Sequence, residues 1–337
     1  MLRAEIIGVG SYVPERVLTN FDMEKFLDTS DEWIRKRTGI EQRHWAAVGQ
    51  STSDLALQAS QDALKSAGLS ATDLDMIIFA TLTPDHFFPG TGCFLQEKLG
   101  VAGIATLDIR QQCTGFLYGL SIADHFIRCG TYKKILLVGS EVHSSGLDRT
   151  TRGRDVTVLF GDGSGAVILS AKEVRNPEKD SFVLGGELHA DGRGAKELWV
   201  PAPGSALGRA DRVDHEVLEA GLHYPQMNGK KVFIAAVTKM AESLTNCLEE
   251  HGVTVQDVDR FFFHQANLRI NDAVAEQLSI PREKVFNTIQ KFGNTTAATI
   301  PLGMHEALKA GELKKGMLVA LAAFGSGYTW GASLLRY

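Results

Sequence analysis

The sequence predicts an α/β protein built from two similar halves, and three observations lead to this prediction. The chain has 337 residues, which is long for a single hydrophobic core and suggests two domain-sized units. Hydrophobic residues make up 44% and charged residues 22%, as in an ordinary globular protein. An internal repeat then divides the chain into residues 1–172 and 173–337.

The repeat pairs Leu64–Ala80 with Leu248–His264. Each segment has the pattern of a helix that ends at a glycine, a short turn, an acidic step and a buried strand. Asp75 and Asp259 each lie five residues before the last residue of their segment. The same helix–turn–strand unit is therefore predicted to occur twice.

A second pair of segments continues the repeat. Cys129–Val138 and Ala310–Val319 each read as a helix stop, a basic turn and a strand. Each is followed by a glycine-rich segment that we interpret as a hairpin, Phe160–Ala166 in one half and Phe324–Gly331 in the other. Glycine permits positive φ and close backbone packing at such places.

The repeat aligns three reactive side chains. Cys113 and Asn294 each lie 17 residues before a helix-ending glycine, Gly130 and Gly311, so each precedes a helix of about four turns. His264 ends the strand of the second unit. In stacked α/β units, strand ends and helix starts of this kind converge at a central crevice, which would bring the three side chains together. The alternative is a duplicated fold in which the three residues are only polar loop residues.

The chemistry of these side chains favours acyl transfer. A thiol at a helix start, such as Cys113, feels the positive end of the dipole, which favours the thiolate that attacks thioesters. His264 follows the apolar run Phe261–Phe263, which suits a neutral imidazole donor. Asn294 can donate to a developing oxyanion. The alternatives are a buried structural thiol, a structural histidine and a turn or N-cap asparagine.

Composition excludes several other functions. A net charge near −5 and a pI near 6.1 argue against a broad nucleic-acid surface. The apolar stretches are too short to cross a bilayer, and Met1–Tyr12 lacks the features of a signal peptide, so we expect no membrane partner and a cytoplasmic protein. The four cysteines form no C-x-x-C pair and the ten histidines form no H-E-x-x-H motif, so we expect neither a metal nor a resident cofactor.

Five motifs resemble, in order, those of the β-ketoacyl-acyl-carrier-protein synthase III family. They are Thr29–Ile34, Arg37–Ile40, His264–Asn267, Gly293–Thr295 and the Phe324 hairpin with Thr329–Gly331. The resemblance is collinear from Ile6 to the C-terminus. It implies a thiolase-like fold with its two duplicated halves in five αβαβα layers.

The resemblance also implies a two-step reaction. An acyl group moves from coenzyme A, a substrate here, onto Cys113, and a malonyl thioester on carrier protein or coenzyme A loses CO₂ and attacks it. His264 and Asn294 match the pair that stabilises the enolate oxygen. The backbone N–H groups of Cys113 and Ser326 match the oxyanion hole. A homodimer is implied as well, because Phe88 matches an aromatic residue that enters the partner subunit's acyl pocket.

Further residues match the family's substrate-binding positions. For coenzyme A they are Thr29, Trp33, Arg37, Arg152, Met227, Gly229, Phe233 and Asn267, with Arg154 as the alternative to Arg152. For the acyl pocket they are Phe88, Gln112 and Phe324. For carrier docking they are Arg269, Lys230 and Lys231. Trp33 and Arg37 would clamp the adenine between an aromatic face and a guanidinium plane.

The sequence also departs from the family pattern. Gln111 and Gln112 replace small residues, and Ser326 replaces a glycine. Family lysines are missing at Ile234, Glu276 and Gln277. We therefore expect a primer other than acetyl, of medium length, and weaker carrier docking. The alternatives are another thiolase-fold acyltransferase, a specialised-pathway ketosynthase, and a non-catalytic partner in a condensing heterodimer.

Overall fold

The computed structural model describes residues 1–208 and 211–337. Its strands are β1 (Leu2–Tyr12), β2 (Val17–Thr19), β3 (Gln42–His44), β4 (Met76–Ala80), β5 (Ala105–Ile109), β6 (Lys134–Glu141), β7 (Gly163–Glu173), β8 (Phe182–Ala190), β9 (Leu198–Trp199), β10 (Gln226–Met227), β11 (Arg260–Phe263), β12 (Leu318–Gly325) and β13 (Thr329–Arg336). Its α-helices are α1 (Asn20–Met23), α2 (Asp31–Thr38), α3 (Thr52–Ala67), α4 (Thr91–Lys98), α5 (Gly115–Arg128), α6 (Arg154–Thr157), α7 (His215–Glu219), α8 (Gly229–Glu250), α9 (Leu268–Gln277), α10 (Ile289–Phe292) and α11 (Thr299–Lys309).

Two mixed sheets form the framework. The first has the order β1-β7-β6-β4-β5, with β6, β4 and β5 parallel and with β7 antiparallel to both of its neighbours. The second has the order β11-β12-β13-β8, with β11 and β12 parallel and the other pairs antiparallel. The strand β4 is buried along its whole length, as expected for a parallel strand covered on both faces.

The repeated aspartates play the same part in both sheets. Oδ2 of Asp75, just before β4, accepts hydrogen bonds of 2.8 Å from the backbone N–H groups of Lys133 and Lys134 at the start of β6. Oδ2 of Asp259, just before β11, accepts one of 2.8 Å from Leu318 at the start of β12. The repeated acidic step therefore fixes the register between two neighbouring parallel strands.

The helices fill three layers around the two sheets. One buried cluster joins α3 to the outer face of the first sheet, and another joins α8 and α9 to the outer face of the second. A third cluster places α5 and α11 between the sheets. In α5 the buried side chains of Phe116, Leu120, Ala123 and Ile127 recur at helical spacing. The layers thus alternate α, β, α, β, α.

Two details of the predicted repeat are wrong. The first glycine-rich segment is not a hairpin, because residues 142–162 separate β6 from β7; only the Phe324 segment forms a tight connection, between β12 and β13. The helix after Asn294 also begins late, at Thr299, and has 11 residues against 14 in α5. The predicted first turn of this helix is instead a 3₁₀ turn over Thr296–Ala298, in which Thr296 has φ +50°.

The division into two halves at residue 172 stays a prediction. The strands of each sheet all lie on the same side of this boundary in the sequence, except that β7 extends one residue past it, to Glu173. Over the described residues, every helix is too short or too polar to cross a membrane. The same part of the chain contains no cluster of three or more His, Cys, Asp or Glu side chains arranged to hold a metal ion.

Candidate active site

A cavity of about 650 Å³ is lined by Cys113, His264 and Asn294 together. All three are buried, with exposed fractions of 7%, 2% and 4%. Cys113 comes from the turn before α5, His264 from the end of β11 and Asn294 from the loop before α11. The three side chains that the repeat singled out thus lie at one site between the sheets.

The turn that carries Cys113 is held in an unusual conformation. Gln112 has φ +45°, a region that side-chain-bearing residues rarely adopt, and its counterpart in the repeat is Gly293 at φ +63°. Oγ1 of Thr114 lies 2.8 Å from Oγ1 of Thr329 and donates to Gln111 O at 2.8 Å. These contacts tie the nucleophile turn to the β12–β13 hairpin.

The hairpin approaches Cys113 very closely. A Cβ atom built on Gly325 would lie 3.0 Å from Cβ of Cys113 and 3.1 Å from its backbone nitrogen. A side chain at position 325 would therefore force the Cys113 turn to move by a few tenths of an ångström, which glycine avoids. The close approach brings the next backbone N–H, that of Ser326, into contact range of the thiol.

Burial, with a smaller contribution from the nearby carboxyl of Glu141, raises the pKa of the Cys113 thiol to about 12. The backbone N–H groups of Cys113 and Ser326 act in the opposite direction but do not offset the burial. The expectation of a lowered pKa at the helix start is therefore wrong for the ligand-free protein, because a closed site disfavours the thiolate more than the helix start favours it.

Glu141 is a buried carboxyl that sequence analysis missed. Burial raises its pKa to about 7, while hydrogen bonds from Thr83, Leu82 and Thr81 partly offset that cost. Oε2 of Glu141 accepts from Oγ1 of Thr81 at 3.1 Å and from the N–H of Thr83 at 3.1 Å. A polar residue that ends a buried strand is the same signal that pointed to His264, and it could have identified Glu141.

His264 is held as a neutral ring. Its backbone N–H donates to Ala322 O at 2.9 Å, which extends the pairing of β11 with β12. Nδ1 lies 2.8 Å from Oγ1 of Thr299, which also lies 2.9 Å from Thr296 O, and this hydroxyl has one proton to give. When Thr299 gives that proton to Nδ1, the proton of the neutral ring is on Nε2. Nε2 is buried and has no hydrogen-bond partner within residues 1–208 and 211–337. Burial lowers the pKa of His264 to about 3, so the ring is uncharged near neutral pH.

Asn294 is fixed through both its backbone and its side chain. Its N–H donates to Leu159 O at 2.8 Å, and its carbonyl accepts from Gly161 at 3.1 Å. The N–H of Thr296 donates to Oδ1 at 2.8 Å. Because Oδ1 is the acceptor in this bond, the amide orientation is assigned, and Nδ2 remains as a donor at the cavity.

The same cavity gathers most of the residues predicted to bind coenzyme A. Trp33, Arg37, Met227, Gly229, Phe233 and Asn267 line it, as do Lys230 and Arg269 from the predicted docking set. Thr29 and Arg152 lie outside its lining. Lys231 is turned away to Glu197, with Nζ 2.6 Å from Oε1, so its charge is paired. Ile234, where a family lysine is missing, is 56% exposed beside the cavity.

The structure distinguishes Arg154 from Arg152. The guanidinium carbons of Arg37 and Arg154 lie 4.7 Å and 4.8 Å from the centre of the Trp33 ring. Arg152 instead pairs with Asp148, with Nε 2.6 Å from Oδ2. The contact with Asp148 holds Arg152 away from Trp33, which favours Arg154 for the adenine side, and the choice between the two stays a prediction.

A second cavity, of about 500 Å³, begins on the other side of Cys113. Gln112 lines it as predicted for the acyl pocket, but Phe324 lines the first cavity instead. Phe88 is 78% exposed and lies outside the lining, whereas its neighbour Phe87 is part of it. Phe324 thus lines the first cavity rather than the second, Phe88 lines neither, and the assignment of both to an acyl pocket stays a prediction.

Known proteins are similar to this chain in both sequence and fold. The family model described as 3-oxoacyl-[acyl-carrier-protein] synthase III matches residues 107–192, and the model of its C-terminal part matches residues 248–337. The β-ketoacyl-[acyl-carrier-protein] synthase III of Geobacillus kaustophilus is 46% identical over 334 residues, 99% of each chain. The chain belongs to this family.

Further comparisons agree with that assignment. The enzyme of the same name from Caldanaerobacter subterraneus subsp. tengcongensis is 44% identical over 336 residues, 100% of this chain and 98% of the relative. The crystal structure of 3-oxoacyl-[acyl-carrier-protein] synthase III from Aquifex aeolicus VF5 has a TM-score of 0.88 and 43% identity, covering 99% of this chain and 100% of that one. The thiolase fold, the acyltransferase class and the condensing activity expected from the sequence are confirmed for this chain.

Proposed function

We propose that Cys113 of this synthase III carries the acyl group and that His264 and Asn294 drive the decarboxylating condensation. One observation supports this division of labour above all others. Cys113 lies where the two cavities meet, while His264 and Asn294 line only the cavity that also contains Trp33 and Arg37. A thioester that enters past Trp33 therefore meets both neutral donors beside the nucleophile.

In the first step the sulfur of Cys113 attacks the acyl carbonyl of an acyl-coenzyme A. A bond forms between Sγ and the acyl carbon, the bond from that carbon to the coenzyme A sulfur breaks, and the thiol proton passes to the departing thiolate. Since the thiol pKa is about 12, proton loss must accompany the attack. The N–H groups of Cys113 and Ser326 are suited to bind the carbonyl oxygen during this step.

In the second step a malonyl thioester takes the place of coenzyme A. Loss of CO₂ leaves an enolate whose oxygen accepts from Nε2 of His264 and Nδ2 of Asn294. Neutral donors suit this task, because they stabilise the oxyanion without protonating it. The new carbon–carbon bond forms at the acyl carbon, the bond from that carbon to Sγ breaks, and the Cys113 thiolate takes up a proton from bulk water.

The second cavity supports a primer longer than acetyl. Its volume of about 500 Å³ falls within the range of small-molecule sites and exceeds the need of a two-carbon group. This feature also favours the second candidate, a specialised-pathway ketosynthase that uses a non-acetyl primer. The homodimer, the cytoplasmic location and the choice between carrier protein and coenzyme A for the extender stay predictions.

The proposal is tested by intact-protein mass spectrometry with acyl-coenzyme A thioesters of two to twelve carbons. We expect one acyl adduct per chain, absent in Cys113→Ala. His264→Ala is expected to accept the acyl group but to release CO₂ from malonyl thioesters at least about a hundredfold more slowly, as for a lost oxyanion donor. An adduct that persists in Cys113→Ala, or normal CO₂ release by His264→Ala, would refute the assignment.

A further inference from the structure

The second cavity, on the far side of Cys113, is lined mainly by apolar side chains and by a few polar ones. Its apolar side chains include Leu82, Pro84, Phe87, Leu147, Phe160 and Trp199. Two histidines, His143 and His223, interrupt this wall. Neither belongs to the residues that the reaction described above uses. A cavity meant only for a hydrocarbon chain has no need of either ring.

His143 is fixed at this wall by two contacts. It follows β6 by two residues, is only 6% exposed, and packs against Phe160 with ring centres 4.4 Å apart. Nε2 lies 2.6 Å from Oγ1 of Thr296. In the described part of the chain, Thr296 Oγ1 makes no other hydrogen bond. Donation to Nε2 therefore satisfies the hydroxyl proton, whereas acceptance from Nε2 would leave that proton buried without a partner.

This hydrogen bond determines where His143 carries its own proton. Burial lowers the pKa of His143 to about 3, so the ring is neutral near pH 7. A neutral ring that accepts at Nε2 has its proton on Nδ1. Nδ1 has no hydrogen-bond partner within residues 1–208 and 211–337, which leaves a donor at the cavity wall.

His223 supplies a second observation of the same kind. Its Nδ1 is buried and lacks a hydrogen-bond partner among the described residues. The ring packs on Tyr224, with centres 3.9 Å apart, and lines the same cavity. A buried polar group without a partner is rare in folded proteins, and the missing bond at His223 is one that a ligand or an ordered water can supply.

We propose that this cavity selects an acyl primer that carries an oxygen atom, as a hydroxyl or a ketone, which accepts a hydrogen bond from Nδ1 of His143. The proposal rests on the acyl-cysteine function given above and specifies its substrate. A plain alkyl chain would leave the donor unpaired. Sites built around such a donor discriminate strongly against analogues that lack the acceptor.

The test compares six-carbon thioesters in single-turnover acylation of Cys113, followed by intact mass. The substrates are hexanoyl-, 3-hydroxyhexanoyl-, 4-oxohexanoyl- and 5-oxohexanoyl-coenzyme A, and the proteins are wild type, His143→Leu, His143→Gln and, as a control, His125→Leu on the exposed side of α5. We expect wild type to prefer at least one oxygenated primer over hexanoyl by about tenfold or more, the effect of one satisfied buried donor.

His143→Leu is expected to lose that preference, His143→Gln to keep part of it through its amide donor, and His125→Leu to keep it all. A wild type that shows no preference overturns the inference, as does an unchanged preference in His143→Leu. If His143→Leu fails to fold, the ratio in wild type and in His143→Gln still decides. Acylation without preference overturns this inference alone, whereas no acylation by any thioester overturns the proposed function as well.

Discussion

The backbone N–H of Thr296 donates to Oδ1 of Asn294 at 2.8 Å, and this bond sets which end of the Asn294 amide is available as a donor. Oγ1 of Thr299 lies 2.9 Å from the carbonyl oxygen of Thr296 and 2.8 Å from Nδ1 of His264. The side chain of Thr296 contacts His143. One residue at φ +50° thus connects both proposed enolate donors to the wall of the second cavity.

Asn294→Asp tests the donor role with little change in shape. The carboxylate keeps an acceptor for the Thr296 N–H but replaces the donor Nδ2 with a second acceptor. We expect CO₂ release from malonyl thioesters to fall by about a hundredfold or more, while acylation of Cys113 stays within a few fold. Parallel assays of the two half-reactions provide the measurement, and equal losses in both would contradict the prediction.

Thr299→Val tests the positioning of His264. The valine removes the hydroxyl that lies 2.8 Å from Nδ1, which leaves that nitrogen without a partner. An unsatisfied buried group costs about 1–3 kcal/mol, so condensation should slow by roughly five- to 150-fold. Thr299→Ser retains the hydroxyl and should recover most of the rate. A valine variant as active as the serine variant would argue against any role for Thr299.

The thiol of Cys113 should react slowly with alkylating agents near neutral pH. Because its pKa is about 12, alkylation should rise about tenfold per pH unit from 7 to 10 without a plateau. The exposed Cys93 and Cys129 are first replaced by serine so that the mass change reports on Cys113 among the accessible thiols. A plateau below pH 9 would show that the thiol is more acidic than its burial implies.

Glu141→Gln should make that thiol more reactive. The carboxyl of Glu141 raises the thiol pKa when charged, and its own pKa is about 7. The gain in alkylation rate should therefore be small at pH 6, where the wild-type carboxyl is mostly protonated, and larger at pH 9. An equal gain at both values would point to a change in access rather than in charge.

Arg154→Met and Arg152→Met form a matched pair for the coenzyme A site. Loss of the guanidinium beside Trp33 should raise KM for acyl-coenzyme A about three- to thirtyfold, as for a desolvated cation–π contact. Arg152 contacts Asp148 instead, so its replacement should change KM by less than about twofold. A larger rise in KM for Arg152→Met than for Arg154→Met would instead indicate that Arg152 contacts the adenine.

The sequence predicted the architecture of the site because duplication leaves the same residue spacing in both halves of the chain. The spacing from Gly130 and Gly311 located Cys113 and Asn294 at related turns, and the repeated aspartates marked the neighbouring strands. These features depend on local elements of fixed length, which a linear pattern can encode.

Features that depend on packing could not be predicted in this way. The pKa of Cys113 follows from burial, which the position at a helix start does not report. Arg152 and Arg154 are both arginines of one loop, and only its folded path decides which one meets Trp33. His143 belongs to no recognisable sequence motif, and its proposed role as a donor depends on a hydrogen bond with Thr296, 153 residues away in the sequence.

The position of Cys113 between two cavities also determines the order in which substrates bind and products leave. Both thioesters are proposed to reach the sulfur through the cavity that contains Trp33, while the acyl chain fills the cavity beyond. Free coenzyme A must then leave before the malonyl thioester can enter. Product coenzyme A should consequently compete with the extender for the acylated protein, so its accumulation would slow chain initiation when extender is scarce.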